Sequence, residues 1–547
     1  MWHVGTGRGD LSVYEPGIGM FVWAQPRNVV LGVATPLSVR AIAVRDEDDH
    51  HFVIACCDLC AISESLRAAV LARVEHLGIG EHDLMLTATH NHSGPSGYSA
   101  YLYYALSAPG VSRHVHDGLA GSIASAIEHA VRGLSPARAF LRAERMPLAE
   151  PVAFNRALAA HNSNRGVVPA ERPEEAVRRT HTVVRFERED GSPLALLSFF
   201  PVHCTSVHSD FQWLHPDNKG EAALYCEARV RDPEFVAVFA QESAGDVSPS
   251  FRFDRARGWN VGTFDDDLES ARDNGARQAR HALELFERAR HEGTELSAGA
   301  LSSGVRYHDF AGLAVHPDFA DSRRGVSTGE PVLGLGFGLG TREGPGPLAP
   351  LAPLCTILSR RRARRHSGDS KVPFQDLGRG RGGRVLGLLG ADTRLWSLVP
   401  DRRARYYREA IETKAGNAPW VPRHLPAQVV QLGALVIAAL PIEPTTTSGD
   451  RIEAAVREGI DRPAQVVVCG YSNAYVSYLT TAEEYAHQGF EGAATLYGPN
   501  SLGAWCTVLR SLARDVARGG AQAELGRRSV PLPLRTLPAF DQRGRGR

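Results

Sequence analysis

Short apolar runs that end in polar, glycine- or proline-containing segments recur along the chain, and they set the expected architecture. Residues 41–44 and 52–57 read as strands, residues 63–77 as a helix capped by Ser63, and residues 116–132 as a helix with Ala, Ile and Val on one face. Later runs repeat the pattern. Residues 194–200 lead into Pro201-Val-His203, residues 235–240 into Gln241-Glu-Ser-Ala-Gly-Asp246-Val-Ser248-Pro249, residues 433–440 into Pro441-Ile-Glu443, and residues 464–469 into Gly470-Tyr471-Ser-Asn473. Strands of this kind between helical segments predict an α/β fold with mixed sheets layered between helices. Ligands of open α/β sheets bind beyond the carboxyl ends of strands, so His90, His203, Ser248, Glu443 and a tyrosine are candidates for one pocket. The first forty residues, with Gly5-Thr-Gly-Arg-Gly-Asp10 and Pro16-Gly-Ile-Gly-Met20, read as loops wrapping an edge. No Gly-Lys-Ser/Thr follows them to make a phosphate-binding loop.

The densest chemistry lies in Leu84-Met-Leu-Thr-Ala-Thr-His90-Asn-His92-Ser-Gly-Pro-Ser-Gly97. On an extended chain a period of two sends both imidazoles the same way. Such a pair is able to bind a divalent metal, or to divide metal binding and substrate contact between its two rings. The competing reading gives one ring to the turn and the other to the surface, and the short motif leaves both open. His90, His203 and Glu443 on separate strand ends form a His/His/Glu set of the kind that holds a catalytic zinc with one position open. Asp246-Val-Ser248-Pro249 lacks the Gly-x-Ser-x-Gly elbow, so a Ser-His-Asp acyl-enzyme is not the default.

Composition narrows the classes further. With 547 residues, 43% hydrophobic, 22% charged and a formal net charge of zero, the chain has no global basic field to recommend nucleic acid as a partner. The first residues show no cationic opening with an apolar core, and no apolar run reaches the ~18 residues of a membrane span. Cys56, Cys57, Cys60, Cys204 and Cys469 fall in or beside apolar runs, which suits reduced, buried thiols and a cytoplasmic location. Cys57-Asp-Leu-Cys60 has no second ligand pair at zinc spacing and reads as the end of a buried strand. From residue 334 to 384 glycine, proline and arginine dominate, a composition that rarely packs a core. The cluster Arg360-Arg-Arg-Ala-Arg-Arg365 within it suits an anionic phospholipid surface or a solvated loop, and Gln542-Arg-Gly-Arg-Gly-Arg547 reads as a frayed tail.

Several motifs then combine. Thr89-His-Asn-His-Ser-Gly-Pro-Ser-Gly-Tyr98, Asp217-Asn-Lys-Gly220, Gly245-Asp-Val-Ser-Pro249, Gly340-Thr-Arg-Glu-Gly-Pro-Gly346, Glu443-Pro-Thr-Thr and Asn473-Ala-Tyr-Val-Ser-Tyr-Leu-Thr-Thr-Ala-Glu-Glu-Tyr485 together resemble the neutral (non-lysosomal) ceramidase family, in that family's order. Gly5-Thr-Gly-Arg-Gly-Asp10 resembles its Gly-x-Gly-x-x-Asp opening. The resemblance implies a zinc-dependent amidase that cuts the N-acyl bond of ceramide to a sphingoid base and a fatty acid. It further implies one Zn²⁺ per chain held by His90, His203, Glu443 and Tyr478. His92 would lie beside the reacting carbonyl, with Arg156 of Phe154-Asn155-Arg156 and with Ser248 as nucleophile or oxyanion donor. A dication lowers the pKa of a phenol, which makes Tyr478 a reasonable ligand.

The chain departs from the family in three respects. Members continue into a C-terminal immunoglobulin-like domain that is not expected here, they are commonly exported, and the tyrosine of their Tyr-Glu-Gly segment is Phe490. The expected organisation is a catalytic domain over residues 1–525, with a Gly/Arg-rich insert at about 345–390, and a tail over residues 526–547. The expected activity is hydrolysis of ceramide or a ceramide-like lipid. The alternatives are a zinc amidase or esterase acting on another acylated small molecule, and a non-catalytic metal- and lipid-binding protein. Expected partners are the lipid or N-acylated substrate and a peripheral membrane contact, with no nucleic acid; oligomeric state is left open.

Overall fold

Alternation along the strands divides the fold into layers. On Ser38–Arg45 and His51–Cys57, Val39, Ala41, Ala43, Val53 and Ala55 face the same core as Leu66, Val70, Leu119 and Ile123 of helices Glu64–Val74 and Arg113–Arg132. Ile42, Val44, Phe52 and Ile54 point the other way, into a core that also takes Val430, Leu432, Ile437 and Val467 from a second sheet. Two sheets therefore pack face to face between outer helices. This is a computed structural model of residues 1–547, and it describes all of them except 24, 26, 108–109, 321–322, 364–370, 387–393, 395–397, 399–401, 461–462, 520–524, 529–531 and 541–547.

The larger sheet runs in the order Val236–Gln241, Pro193–Phe200, Thr180–Arg188, Ser135–Arg145, Trp2–Asp10, Ser38–Arg45, His51–Cys57, Leu84–Ala88, with Thr294–Glu295 beside Ser135–Arg145. Its two end pairs are parallel and the inner pairs antiparallel, so the sheet is mixed. The second sheet runs Leu301–Asp309, His424–Leu432, Leu435–Ala439, Gln465–Cys469, with a parallel last pair. Helices Asp217–Val230 and Asp267–Glu292 cover Val183, Leu196 and Phe239 of the first sheet. Helices Thr446–Gly459 and Ser501–Ala517 place Ile452, Val456, Leu509 and Leu512 in the core shared with Val429, Val436 and Val468 of the second. Among the described residues no helix is long and apolar enough to cross a membrane.

Two sequence expectations are corrected. The opening glycines form no edge loop: Trp2–Asp10 is an interior strand, paired with Ser38–Arg45 and Ser135–Arg145. A Cβ on Gly5 would lie 2.0 Å from the Ala130 carbonyl oxygen, and one on Gly7 2.0 Å from that of Ala126. Helix Arg113–Arg132 thus rests directly on strand backbone, and glycine is required by that close approach. Gly7→Ala is expected to cost about 2–3 kcal/mol by overpacking, read as a lower urea-unfolding midpoint at unchanged slope.

The Gly/Arg-rich stretch is the second. Its described residues are ordered: Val332–Gly334 pairs with Pro373–Asp376, Gly340–Thr341 pairs with Gly344–Pro345, and Ala352–Ala363 is a helix. Gly340 turns the chain at φ +77° where a Cβ would meet Gly346 N at 2.2 Å. Residues 364–365 of the arginine cluster and 542–547 of the tail lie outside the described residues. Helix boundaries follow their caps. Ser63 accepts from Leu66 N as expected, whereas the second helix starts at Arg113, three residues earlier than its apolar pattern indicates, because Ser112 accepts from Val115 N. All eight cysteines are free and buried.

Candidate functional site

The His-x-His segment begins where strand Leu84–Ala88 ends. Thr89 N donates to Cys57 O and Asn91 N to Leu59 O, which pins the segment against the loop after the neighbouring strand. His90 sits between these bonds with φ +63°. The two rings meet through this left-handed turn, not through the strand period expected from sequence, and their Nε2 atoms are 3.1 Å apart.

Five further segments meet around this turn. His203 follows strand Pro193–Phe200 by three residues and Glu443 follows Leu435–Ala439 by four. Glu443 Oε2 lies 3.2 Å from His90 Nε2 and 3.2 Å from His203 Nε2, with all three side chains fully buried. Tyr478 is fixed by a two-residue parallel pairing in which Glu443 faces Tyr478 and Pro444 faces Leu479. Its hydroxyl lies 3.4 Å from His203 Nε2. Ser248 is brought in by the antiparallel pair Val247–Ser248 with Phe154–Asn155, which also delivers Arg156.

Arg156 joins these groups. Its Nη2 donates to Tyr478 OH at 3.0 Å and to Gly245 O at 2.9 Å, its Nη1 to Glu343 Oε2 at 2.8 Å and its Nε to Glu491 Oε1 at 2.8 Å. Glu343 Oε1 accepts from Ser248 Oγ at 2.5 Å and from Thr205 Oγ1 at 2.9 Å. The structure therefore assembles His90, His92, His203, Glu443, Tyr478 and Arg156 around one point, and links Ser248 to it through Glu343. Sequence reasoning assigned no role to Glu343, Glu491, Tyr471 or Tyr475. Glu343 was visible as the single acid of Gly340-Thr-Arg-Glu-Gly-Pro-Gly346, whereas its contact with Arg156 spans 187 residues. Tyr475 donates to Glu443 Oε1, and Tyr471 OH lies 3.5 Å from Oε2.

The donor set suits a divalent metal. His90 Nδ1 pairs with Cys60 O at 2.8 Å and His203 Nδ1 with Ala244 O at 2.6 Å. A carbonyl only accepts, so both rings carry a proton on Nδ1 and turn Nε2 toward Glu443. Burial, with His90 and His203 adding to it, drives His92 well below the usual imidazole range, and burial with Arg156 lowers His203. Burial pushes the Glu443 carboxyl up, but His90 and His203 outweigh it and hold it well below the usual carboxylate range. Two imidazole Nε2 atoms and a carboxylate oxygen, all buried, converge at 3.2 Å, a donor set that a divalent cation at their centre would satisfy. Burial, then Glu443, raises the Tyr478 phenol well above 10. His92 Nδ1 has no hydrogen-bond partner among the described residues, and its ring meets Trp23 edge-on at 4.9 Å.

Arg156, Phe490 and Glu491 also line a cleft of about 350 Å³ with Arg360, Thr341, His487 and others. A second buried group, His161, Asp246 and Glu484, lines the same cleft. Its carboxylates are already committed. Asp246 accepts from Thr446 N and Asn155 Nδ2, both at 2.7 Å, and Glu484 accepts from Asn164 Nδ2 at 2.8 Å and Thr445 Oγ1 at 2.6 Å.

A buried His/His/Glu centre in an α/β body, with a guanidinium at its edge that also lines a neighbouring cleft, defines a metallohydrolase. The chain belongs to the neutral/alkaline non-lysosomal ceramidase family: the model of that family's N-terminal region matches residues 2–351 and 409–507. It is 31% identical to the neutral ceramidase of Pseudomonas aeruginosa over 511 residues, covering 91% of this chain and 69% of that protein. It is 28% identical to the neutral ceramidase of Mycobacterium tuberculosis over 569 residues, covering 98% of this chain and 80% of the relative. Among solved structures it resembles one described as ceramidase complexed with C2, with TM-score 0.79, 29% identity and coverage of 97% of this chain and 77% of that one.

Proposed function

We propose that the protein hydrolyses the N-acyl amide bond of ceramide, releasing a sphingoid base and a fatty acid, at one zinc ion held at the strand ends by His90, His203, Glu443 and Tyr478. The observation that carries this is Glu443 Oε2 at 3.2 Å from both His90 Nε2 and His203 Nε2, in a chain of the ceramidase family. When bound, zinc supplies a Lewis acid that polarises the amide carbonyl and brings the pKa of water to about 7.

The chain's own residues supply the rest. Arg156, locked by Glu343 and Glu491, aims an Nη2 hydrogen at Tyr478 OH and so stands where negative charge develops on the carbonyl oxygen. Burial raises Glu343, but Arg156 outweighs it and holds that carboxyl at about 2. So weak a base leaves the Ser248 proton in place, which favours a hydrogen-bonding Ser248 over a nucleophilic one. His92 is held neutral by burial, and its Nδ1, without a hydrogen-bond partner among the described residues, is placed to hydrogen-bond the substrate beside the reacting carbonyl.

The test is mass-spectrometric detection of fatty acid released from labelled ceramide by zinc-loaded protein, with and without a chelator. Release that a chelator abolishes and added zinc restores is expected. No release from any ceramide, with release from another N-acyl compound, would move the assignment to that substrate.

A further inference from the structure

Helix Ala352–Ala363 is built inside out. Its small residues Cys355 and Ser359 are buried, at 6% and 0% exposure. Its large apolar residues face solvent: Leu354 is 56% exposed, Ile357 51% and Leu358 44%, with Leu351 at 53% just before the helix. The spacing 351, 354, 358 with 357 beside them is three and four residues, so these side chains form one stripe. A contiguous apolar stripe on a surface helix marks a contact with something apolar.

The ends of the stripe indicate what that is. Arg360 and Arg361 follow it, both exposed, and no acidic residue occurs between Leu351 and Arg365. Arg360 Nε donates to His487 O at 3.1 Å, and Arg360 and His487 both line the cleft that holds Arg156 and Glu491. The helix therefore forms part of the cleft rim. An apolar face bordered by arginines is the pattern of a helix lying in the interface of an anionic bilayer, with the side chains among the acyl chains and the guanidiniums among the headgroups.

We infer that helix Ala352–Ala363 docks the protein on an anionic lipid surface through Leu351, Leu354, Ile357, Leu358 and Arg361, and so opens the cleft onto the membrane. This rests on the reading of a lipid substrate above. A bilayer-borne substrate then reaches the cleft at Arg360 without crossing bulk water.

The test uses the full zinc-loaded chain and the triple variant Leu354→Ser/Ile357→Ser/Leu358→Ser, with Arg361→Glu as a second variant. Sedimentation with phosphatidylcholine vesicles, with and without phosphatidylglycerol, reads docking without any need for turnover. Wild type is expected to bind the anionic vesicles, and each variant at least tenfold less. Ceramide presented in those vesicles should be cut correspondingly more slowly by the variants, while a water-soluble short-chain N-acyl substrate is cut at the wild-type rate. Wild-type protein that ignores anionic vesicles, or variants that bind them equally well, would overturn the docking role even if hydrolysis is intact. A stripe that instead holds two copies together would show as a triple variant of half the wild-type mass in light scattering, and would likewise overturn it. Failure to hydrolyse any substrate, with vesicle binding retained, overturns the proposed function alone.

Discussion

Glu443→Ala is expected to remove bound zinc and to lower amide hydrolysis by about 10³-fold or more, because a bound dication contributes roughly 4 kcal/mol or more of charge stabilisation and each 1.36 kcal/mol is a factor of ten. Glu443 is the group that both histidines address at 3.2 Å. Its loss leaves two buried imidazoles with no anion between them. His203→Ala should have the same consequence, since its Nδ1 bond to Ala244 O serves only to aim Nε2 inward. Zinc content by elemental mass spectrometry and turnover of labelled ceramide are to be measured on the same folded preparations. Variants that lose zinc yet turn over substrate at the wild-type rate would sink the assignment of this centre.

Ser248→Ala should behave differently. The hydroxyl donates to Glu343 at 2.5 Å and accepts from Ser250 N at 2.9 Å, and its hydrogen bonds go to none of the four residues assigned to the metal. Zinc content should therefore be unchanged. The rate constant kcat should fall by about 10²–10³-fold, the range seen when one donor to a developing oxyanion, or its support, is lost. A mass shift on Ser248 equal to an acyl group, trapped by acid quench of wild-type protein, would replace the hydrogen-bonding role with a nucleophilic one. Because Glu343 receives both Ser248 and Arg156, Glu343→Gln in the Ser248→Ala background separates them. Little added loss means that the serine acts by fixing Glu343, and a full further loss means that it acts on its own.

Much of the architecture was legible because it obeys local periodicities. The runs at 52–57, 194–200 and 464–469 are strands because β-branched and aromatic residues alternate or cluster between breakers, and helix Glu64–Val74 starts where Ser63 is placed to cap it. The strand Trp2–Asp10 was not legible. Its alternate glycines carry a loop signal locally, and only the approach of Ala126 and Ala130 carbonyls to within 2.0 Å of the missing Cβ positions explains them. The glycine-rich run around residue 340 hides its pairing for the same reason, and Glu343 within it carries no local sign of its contact with Arg156.

The sequence by itself determined the layered α/β class, the residue types of the centre, and, through motif order, the family. Those properties reside in side-chain period, turn chemistry and residue identity, which a linear chain carries directly. Tertiary structure alone decided how the centre is wired. His90 reaches His92 through a left-handed turn, Arg156 meets Glu343 across 187 residues, and Glu443 is held by Tyr475 while it faces both histidines. Tertiary structure also decided that Leu354, Ile357 and Leu358 face outward while Cys355 and Ser359 are buried. The turn at His90 is pinned by bonds from its neighbours to Cys57 O and Leu59 O, and the other relations are set by which faces the two sheets and their helices bury against one another, which no local pattern encodes.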